Sequence, residues 1–145
     1  MITETSIVVR YAETDQMGIA HHSNYAVWFE QARTEYIKGL GISYSELEAR
    51  GVMMPLTSLY ASYKQPTHYE DVLTIRTRTS YATPIRIRLE YEVFRGDTLL
   101  SVGYTEHAFV DSTTFRPKNL KKYQPELYTS LTNAIEPPIS ALEQK

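Results

Sequence analysis

The sequence predicts an α+β fold, with helices and an antiparallel sheet segregated along the chain. Two observations carry this. A helical stretch near the N-terminus has a broad apolar stripe, and the later half holds strand-like runs in which apolar and polar residues alternate with period two. A third, the length of 145 residues, fits one domain with a proper core.

The elements follow in order. Residues 4–12 read ETSIVVRYA, and the β-branched cluster Ile7, Val8 and Val9 predicts a strand. Residues 13–22 form a polar loop in which Gly18 is free to take a positive φ. A helix follows from about Ser23 to Lys38. Ser23 or Asn24 is the expected cap, because either side chain can accept a bond from an otherwise orphan N–H. Its apolar residues Tyr25, Val27, Trp28, Phe29, Ala32, Tyr36 and Ile37 make a stripe too broad for one covered side, so the sheet must curl around it. Gly39 and Gly41 are the stop signals. Ser43 with Glu46 matches a capping box and predicts a short second helix ending near Gly51.

Four strands are predicted next, over 56–64, 72–81, 85–95 and 99–110. In the third, Ile85, Ile87, Leu89, Tyr91 and Val93 share one face, while Arg86, Arg88, Glu90 and Glu92 line a solvated one and are expected to pair across strands. Arg95-Gly96-Asp97 marks a hairpin, and Ala82-Thr83-Pro84 another connection. Pro125 opens a short helix. Residues 1–135 are expected to form one domain, with 136–145 a flexible tail.

Composition narrows the function classes. Cysteine is absent, which excludes disulfides, thiolate nucleophiles and Cys-based zinc sites. A net charge of −2 gives no sign of a nucleic-acid partner. No apolar run approaches the ~20 residues of a membrane span. The start, MITETSIVVR, lacks a basic flank followed by an apolar signal core, so a soluble cytoplasmic protein is expected. Twelve tyrosines, against four Phe and one Trp, suit interfaces and pocket walls.

Nucleophile-elbow, phosphate-loop, dinucleotide and zinc-protease motifs are absent. His21 and His22 are adjacent and diverge, with only His68 and His107 as further histidines, so no metal is expected. Lys118, Lys121 and Lys122 read as a solvated tail, or as an attraction for a phosphorylated ligand. Asp15, in T-D-Q-M-G, has two readings. The ordinary one is an Asx-type turn. The functional one uses the adjacent helix N-terminus at Ser23–Tyr25, whose free N–H groups and positive dipole would stabilise developing negative charge, with His22 orienting Asp15 or a water.

The run from Arg10 to Tyr36, RYAETDQMGIAHHSNYAVWFEQARTEY, resembles the hot-dog-fold acyl-CoA thioesterases of the 4-hydroxybenzoyl-CoA thioesterase family, and looks closest to the bacterial Tol–Pal-associated, YbgC-like branch. The spacing D-x-x-G-x-x-x-x-x-N-Y followed by F-E-x-A-R-x-E is specific. The resemblance continues through Tyr63-Lys-Gln-Pro66 and Tyr69-Glu-Asp71-Val-Leu, over about residues 4–125. It implies a long central helix wrapped by a curved antiparallel sheet of about five strands. It also implies hydrolysis of an acyl-CoA thioester, or of an acyl-carrier-protein thioester, with no cofactor. Asp15 matches the catalytic aspartate, as nucleophile or general base. The carbonyl-polarising N–H corresponds to about Tyr25. His22 matches the histidine of the related H-x-N-Y segment, and Gly18, Asn24 and Tyr25 would border the substrate. Members are homodimers or homotetramers with the active site at the subunit interface. Glu30 and Arg33 are read as a structural pair at i, i+3. Three other readings stay open: a non-catalytic hot-dog module that binds acyl-CoA or another protein, a dehydratase using His22 with a carboxylate, and a purely structural interaction protein whose Tyr-rich strands form an interface. The acyl group is not given by the sequence. Met54, Tyr60 and Tyr63 read more readily as core than as pocket lining.

Overall fold

The computed structural model describes residues 1–143. Its strands are β1 (Thr3–Val8), β2 (Val52–Met53), β3 (Leu56–Tyr63), β4 (Val72–Thr83), β5 (Arg86–Arg95), β6 (Thr98–Ala108) and β7 (Val110–Asp111). Its helices are α1 (Ser23–Gly39), α2 (Tyr44–Ala49), α3 (Leu120–Tyr123), α4 (Pro125–Asn133) and α5 (Ser140–Glu143). Five strands form one antiparallel sheet in the order β1-β4-β5-β6-β3, so β1 and β3 are its edges. The short β2 and β7 pair separately.

Period-two patterning in β4 to β6 gives the sheet one apolar face, and α1 lies on it. Leu73, Ile75, Leu89, Tyr91 and Val93 are buried there against Trp28, Phe29, Ala32 and Tyr36. Burying each such large apolar side chain contributes about 1.5–3 kcal/mol. Phe29 packs tightly on the sheet, its ring stacked on Tyr91 with centroids 4.4 Å apart. Gly103 makes room for it: a Cβ there would meet the Phe29 ring at 2.7 Å and the Tyr60 carbonyl at 2.5 Å. The expected α+β hot-dog architecture is therefore the one observed.

The flanks of α1 differ. On one, Glu35 accepts a bond from Thr5 Oγ1 on β1 at 2.7 Å. On the other, Arg33 donates from Nε to the Tyr44 hydroxyl at 3.1 Å and from Nη1 to the Tyr91 hydroxyl at 3.4 Å. The expected Glu30–Arg33 pair is not formed, because the guanidinium turns inward to these phenols while Glu30 stays exposed.

Other departures are local. The first strand stops at Val8, and Tyr11–Glu13 is a single 3-10 turn. The first long helix includes Gly39, and it is Gly41, at φ 97°, that takes the left-handed conformation beyond its end. Ser43 caps α2 as expected, accepting from the Glu46 N–H at 3.2 Å. Tyr60 and Tyr63 are not core: they stand exposed on the edge strand β3.

Glu90, expected on a solvated face, is 1% exposed. It accepts from Ser80 Oγ, Arg88 Nε and the Ile139 N–H. The last of these belongs to the segment expected as a flexible tail. Its residues up to 143 lie on the sheet, with Ile139 buried and the Glu136 N–H bonded to the Thr79 carbonyl at 2.9 Å. Residues 144 and 145 lie outside the described residues.

Candidate active site

The loop between β1 and α1 doubles back on itself. Thr14 bridges Ala20, the Asp15 N–H donates to the Ile19 carbonyl, and the His21 N–H donates to the Glu13 carbonyl. Its two ends are thus held side by side, and Asp15 lies in the loop that leads into α1. Gly18 turns the loop at φ 80°, a region that favours glycine. The loop is tied to the neighbouring segment by the Ala20 N–H on the Thr67 carbonyl at 2.8 Å and a bridge from Ile19 to His68.

Asp15 is half-buried, and its Oδ1 accepts from the Met17 N–H at 2.8 Å. That is the Asx-turn geometry of the ordinary reading. The second carboxylate oxygen makes no hydrogen bond among the described residues, so the turn leaves it free to act.

The helix start is built differently from expectation. Ser23 and Asn24 are the first two helical residues, not caps, and His22 occupies the N-cap position without a side-chain cap. Asn24 instead uses its amide as a donor, to the carbonyls of Glu13 at 2.8 Å and His21 at 3.1 Å, and so staples the loop to the helix. The Ser23 N–H and hydroxyl both meet Nδ1 of His21, which leaves the His21 ring proton on Nε2. The Asn24 N–H goes to the His21 carbonyl, and the Tyr25 N–H to the His22 carbonyl at 3.3 Å. The N–H expected to polarise a substrate carbonyl is therefore already engaged. The backbone N–H of His22, by contrast, has no partner among the described residues. The His22 ring is exposed and lies against the His21 ring, with centroids 4.0 Å apart, and makes no hydrogen bond to Asp15.

The Tyr25 side chain is buried. Its hydroxyl meets Thr67 Oγ1 at 2.6 Å, and its ring lies 4.7 Å from that of Tyr63 and 4.9 Å from that of Trp28. Burial raises its pKa, so the phenol stays protonated. Tyr25 acts as a wedge between α1 and the end of β3, and only the exposed Tyr63 carries that aromatic wall to the surface.

Glu13 is the residue that sequence reasoning missed. It is 4% exposed, and its carboxylate accepts from the Trp28 indole N–H and from the Arg10 N–H, both at 2.8 Å. Burial alone would raise its pKa. The Arg10 N–H, the Trp28 indole and the Arg10 side chain outweigh that and hold it below the usual range. A signal was present: the single tryptophan lies on the apolar stripe of α1, and a buried indole N–H requires an acceptor.

A family model described as the thioesterase-like superfamily matches residues 9–135 of this chain. The chain is 37% identical over 134 residues to the "Putative acyl-CoA thioesterase YneP" of Bacillus subtilis, covering 92% of this chain and 97% of that protein. It is 29% identical to the acyl-CoA thioesterase YbgC of Haemophilus influenzae, covering 75% of this chain and 81% of that one. Its likeness to YneP thus exceeds that to the YbgC-like branch expected from the motif. Among solved structures, a DHNA-CoA thioesterase from Staphylococcus aureus superposes with a TM-score of 0.87 at 36% identity, covering 91% of this chain and 89% of that one.

Proposed function

The chain belongs to the thioesterase-like superfamily, and on that premise we propose that it hydrolyses an acyl-CoA thioester to the free acid and coenzyme A. What supports the reading is a half-buried carboxylate, Asp15, in the loop that leads into an unpartnered helix-start N–H, that of His22.

The chemistry follows from that pair. The His22 N–H, at the positive end of α1, donates to the thioester carbonyl oxygen and strengthens that bond as the oxygen gains charge. Loss of one such donor typically costs about 3 kcal/mol. The free oxygen of Asp15 attacks the carbonyl carbon and the C–S bond breaks. A thiol with a pKa of about 8.5 leaves as thiolate without a dedicated acid. Water then opens the acyl–aspartyl anhydride, releasing the acid and restoring the carboxylate. In the alternative, Asp15 takes a proton from the water that attacks. A single turnover in oxygen-18 water separates the two, since only the anhydride route carries label into the Asp15 carboxylate. Gly18, Asn24 and Tyr25 support the site by shaping the loop, stapling it and wedging the helix.

The substrate is drawn toward an aromatic acyl group. The exposed ring of Tyr63, backed by the buried Tyr25, favours this, as does the likeness to a protein named as a DHNA-CoA thioesterase. The working form is a dimer. The edge strand β3 exposes Leu56, Leu59, Tyr60 and Tyr63, and an apolar open edge of that length calls for a covering strand. The test is Asp15→Asn, which keeps the turn acceptor and removes the charge. Thiol release from acyl-CoA should fall at least about a hundredfold in a folded protein. Undiminished release would overturn the assignment. No release by either protein would favour a binding module.

A further inference from the structure

We propose that a second copy of this chain completes the charge of Arg33, with its guanidinium paired to Glu30 of the partner subunit and the reverse pair formed across the two-fold axis. This rests on the edge-strand dimer proposed above and names what specifies it.

The surroundings of Arg33 leave its charge unanswered. Its two bonds go to phenols, those of Tyr44 and Tyr91. The polar groups behind them form a chain with one direction. His107 Nδ1 faces the Met54 carbonyl at 3.1 Å, which can only accept, so the ring proton is on Nδ1. Nε2 then accepts from Thr105 Oγ1 at 2.9 Å, Thr105 accepts from the Tyr91 hydroxyl at 2.6 Å, and Tyr91 accepts from Arg33. No acidic group enters this chain. Among the described residues no carboxylate lies within ion-pair distance of Arg33, and the carboxylate of Glu30 has no partner either. A half-buried guanidinium with no anion is costly, and an exposed anion one turn away on the same helix is its natural complement.

The open flank is the one that faces the dimer edge. At about 100° per residue, Glu30 and Arg33 fall on the side of α1 opposite Trp28 and Glu35. Those two bond Glu13 and Thr5, at the β1 side of the sheet. Glu30 and Arg33 therefore face β3.

Register sets the level. Antiparallel self-pairing that uses all of β3 matches Leu56 with Tyr63 of the partner subunit, and its two-fold axis passes between Leu59 and Tyr60. On the β6 side, Ala61 is opposite Gly103 and Leu59 opposite Thr105. Phe29 lies against Gly103, and Arg33 reaches Thr105 through Tyr91. Residues 29–33 of α1 thus sit at the level of the axis. A two-fold there sets the two helices antiparallel, and in such an interface residue i meets j while j meets i. Glu30 and Arg33 are the charges so matched.

Charge exchange tests this. Glu30→Arg and Arg33→Glu, each alone, place like charges opposite one another and should weaken self-association on the order of tenfold, read by sedimentation. Mixed together, they form a heterodimer in which both contacts are again complementary, so the mixture should dimerise close to the wild type. A pair formed within one chain gains nothing from mixing. If Arg33→Glu does not fold, Glu30→Cys mixed with Arg33→Cys replaces it. The chain has no cysteine of its own, so oxidation should yield a cross-linked heterodimer. Wild-type dimerisation by Glu30→Arg, or a mixture no tighter than its parts, overturns the proposal. Thiol release measured on the same samples keeps that failure distinct from failure of the thioesterase reading.

Discussion

The indole N–H of Trp28 donates to the buried carboxylate of Glu13 at 2.8 Å, joining the middle of α1 to the loop that carries Asp15. The bond spans 15 residues and holds an ionised group whose pKa burial alone would raise. Trp28→Phe keeps most of the apolar contact and removes one donor from a buried anion. It should lower stability by about 1.5–3 kcal/mol in urea unfolding at neutral pH.

The same carboxylate sets an acid limit. The folded pKa of Glu13 lies below its ordinary value of 4.5, so its contribution is fully present above that value. It is lost as pH falls through the lower folded pKa, because there the unfolded state binds the proton first. Melting temperatures should fall on acidification below about pH 4.5, and less steeply in a Glu13→Gln variant that starts from a lower plateau.

His107 acts in a higher window. Burial first, and then the nearby positive charge of Arg33, lower its pKa from 6.5 to about 4. Between those values the unfolded chain binds a proton that the folded one refuses, so stability falls as pH drops from about 6.5 toward 4. The full effect is of order 3 kcal/mol. His107→Gln removes the titration, and its stability should be flatter over that range by urea midpoints.

Gly103 makes a packing prediction. A methyl at Gly103→Ala would drive into the Phe29 ring and the Tyr60 carbonyl at the distances given above, neither of which is a flexible chain end. The expected loss is about 1–3 kcal/mol, with both β3 and α1 displaced. A thermal melt unchanged from the wild type would contradict the close approach.

The fold was largely legible because its signals are local. Period-two runs mark β4, β5 and β6, and Ser43 with Glu46 marks the start of α2. What sequence reading missed depends on distant partners. Ser23 and Asn24 are good caps by type, yet tertiary demand turns the Asn24 amide onto the Glu13 carbonyl and leaves His22 at the cap. Glu90 alternates correctly for a solvated face, but the chain returns to cover it with Ile139. Asp15 is marked by motif, whereas the hydrogen-bond state of the N–H groups at the helix start is not legible, since only the structure gives the bond from the Tyr25 N–H to the His22 carbonyl.

The role proposed for Asp15 is hydrolysis of an acyl-CoA thioester. Thiol release from a panel of aromatic, short-chain and long-chain acyl-CoA thioesters, with the wild type and Asp15→Asn side by side, tests it most directly. Turnover of some members is expected, with aromatic acyl groups foremost, and at least about a hundredfold loss in the folded variant. Equal turnover by the two proteins would contradict it.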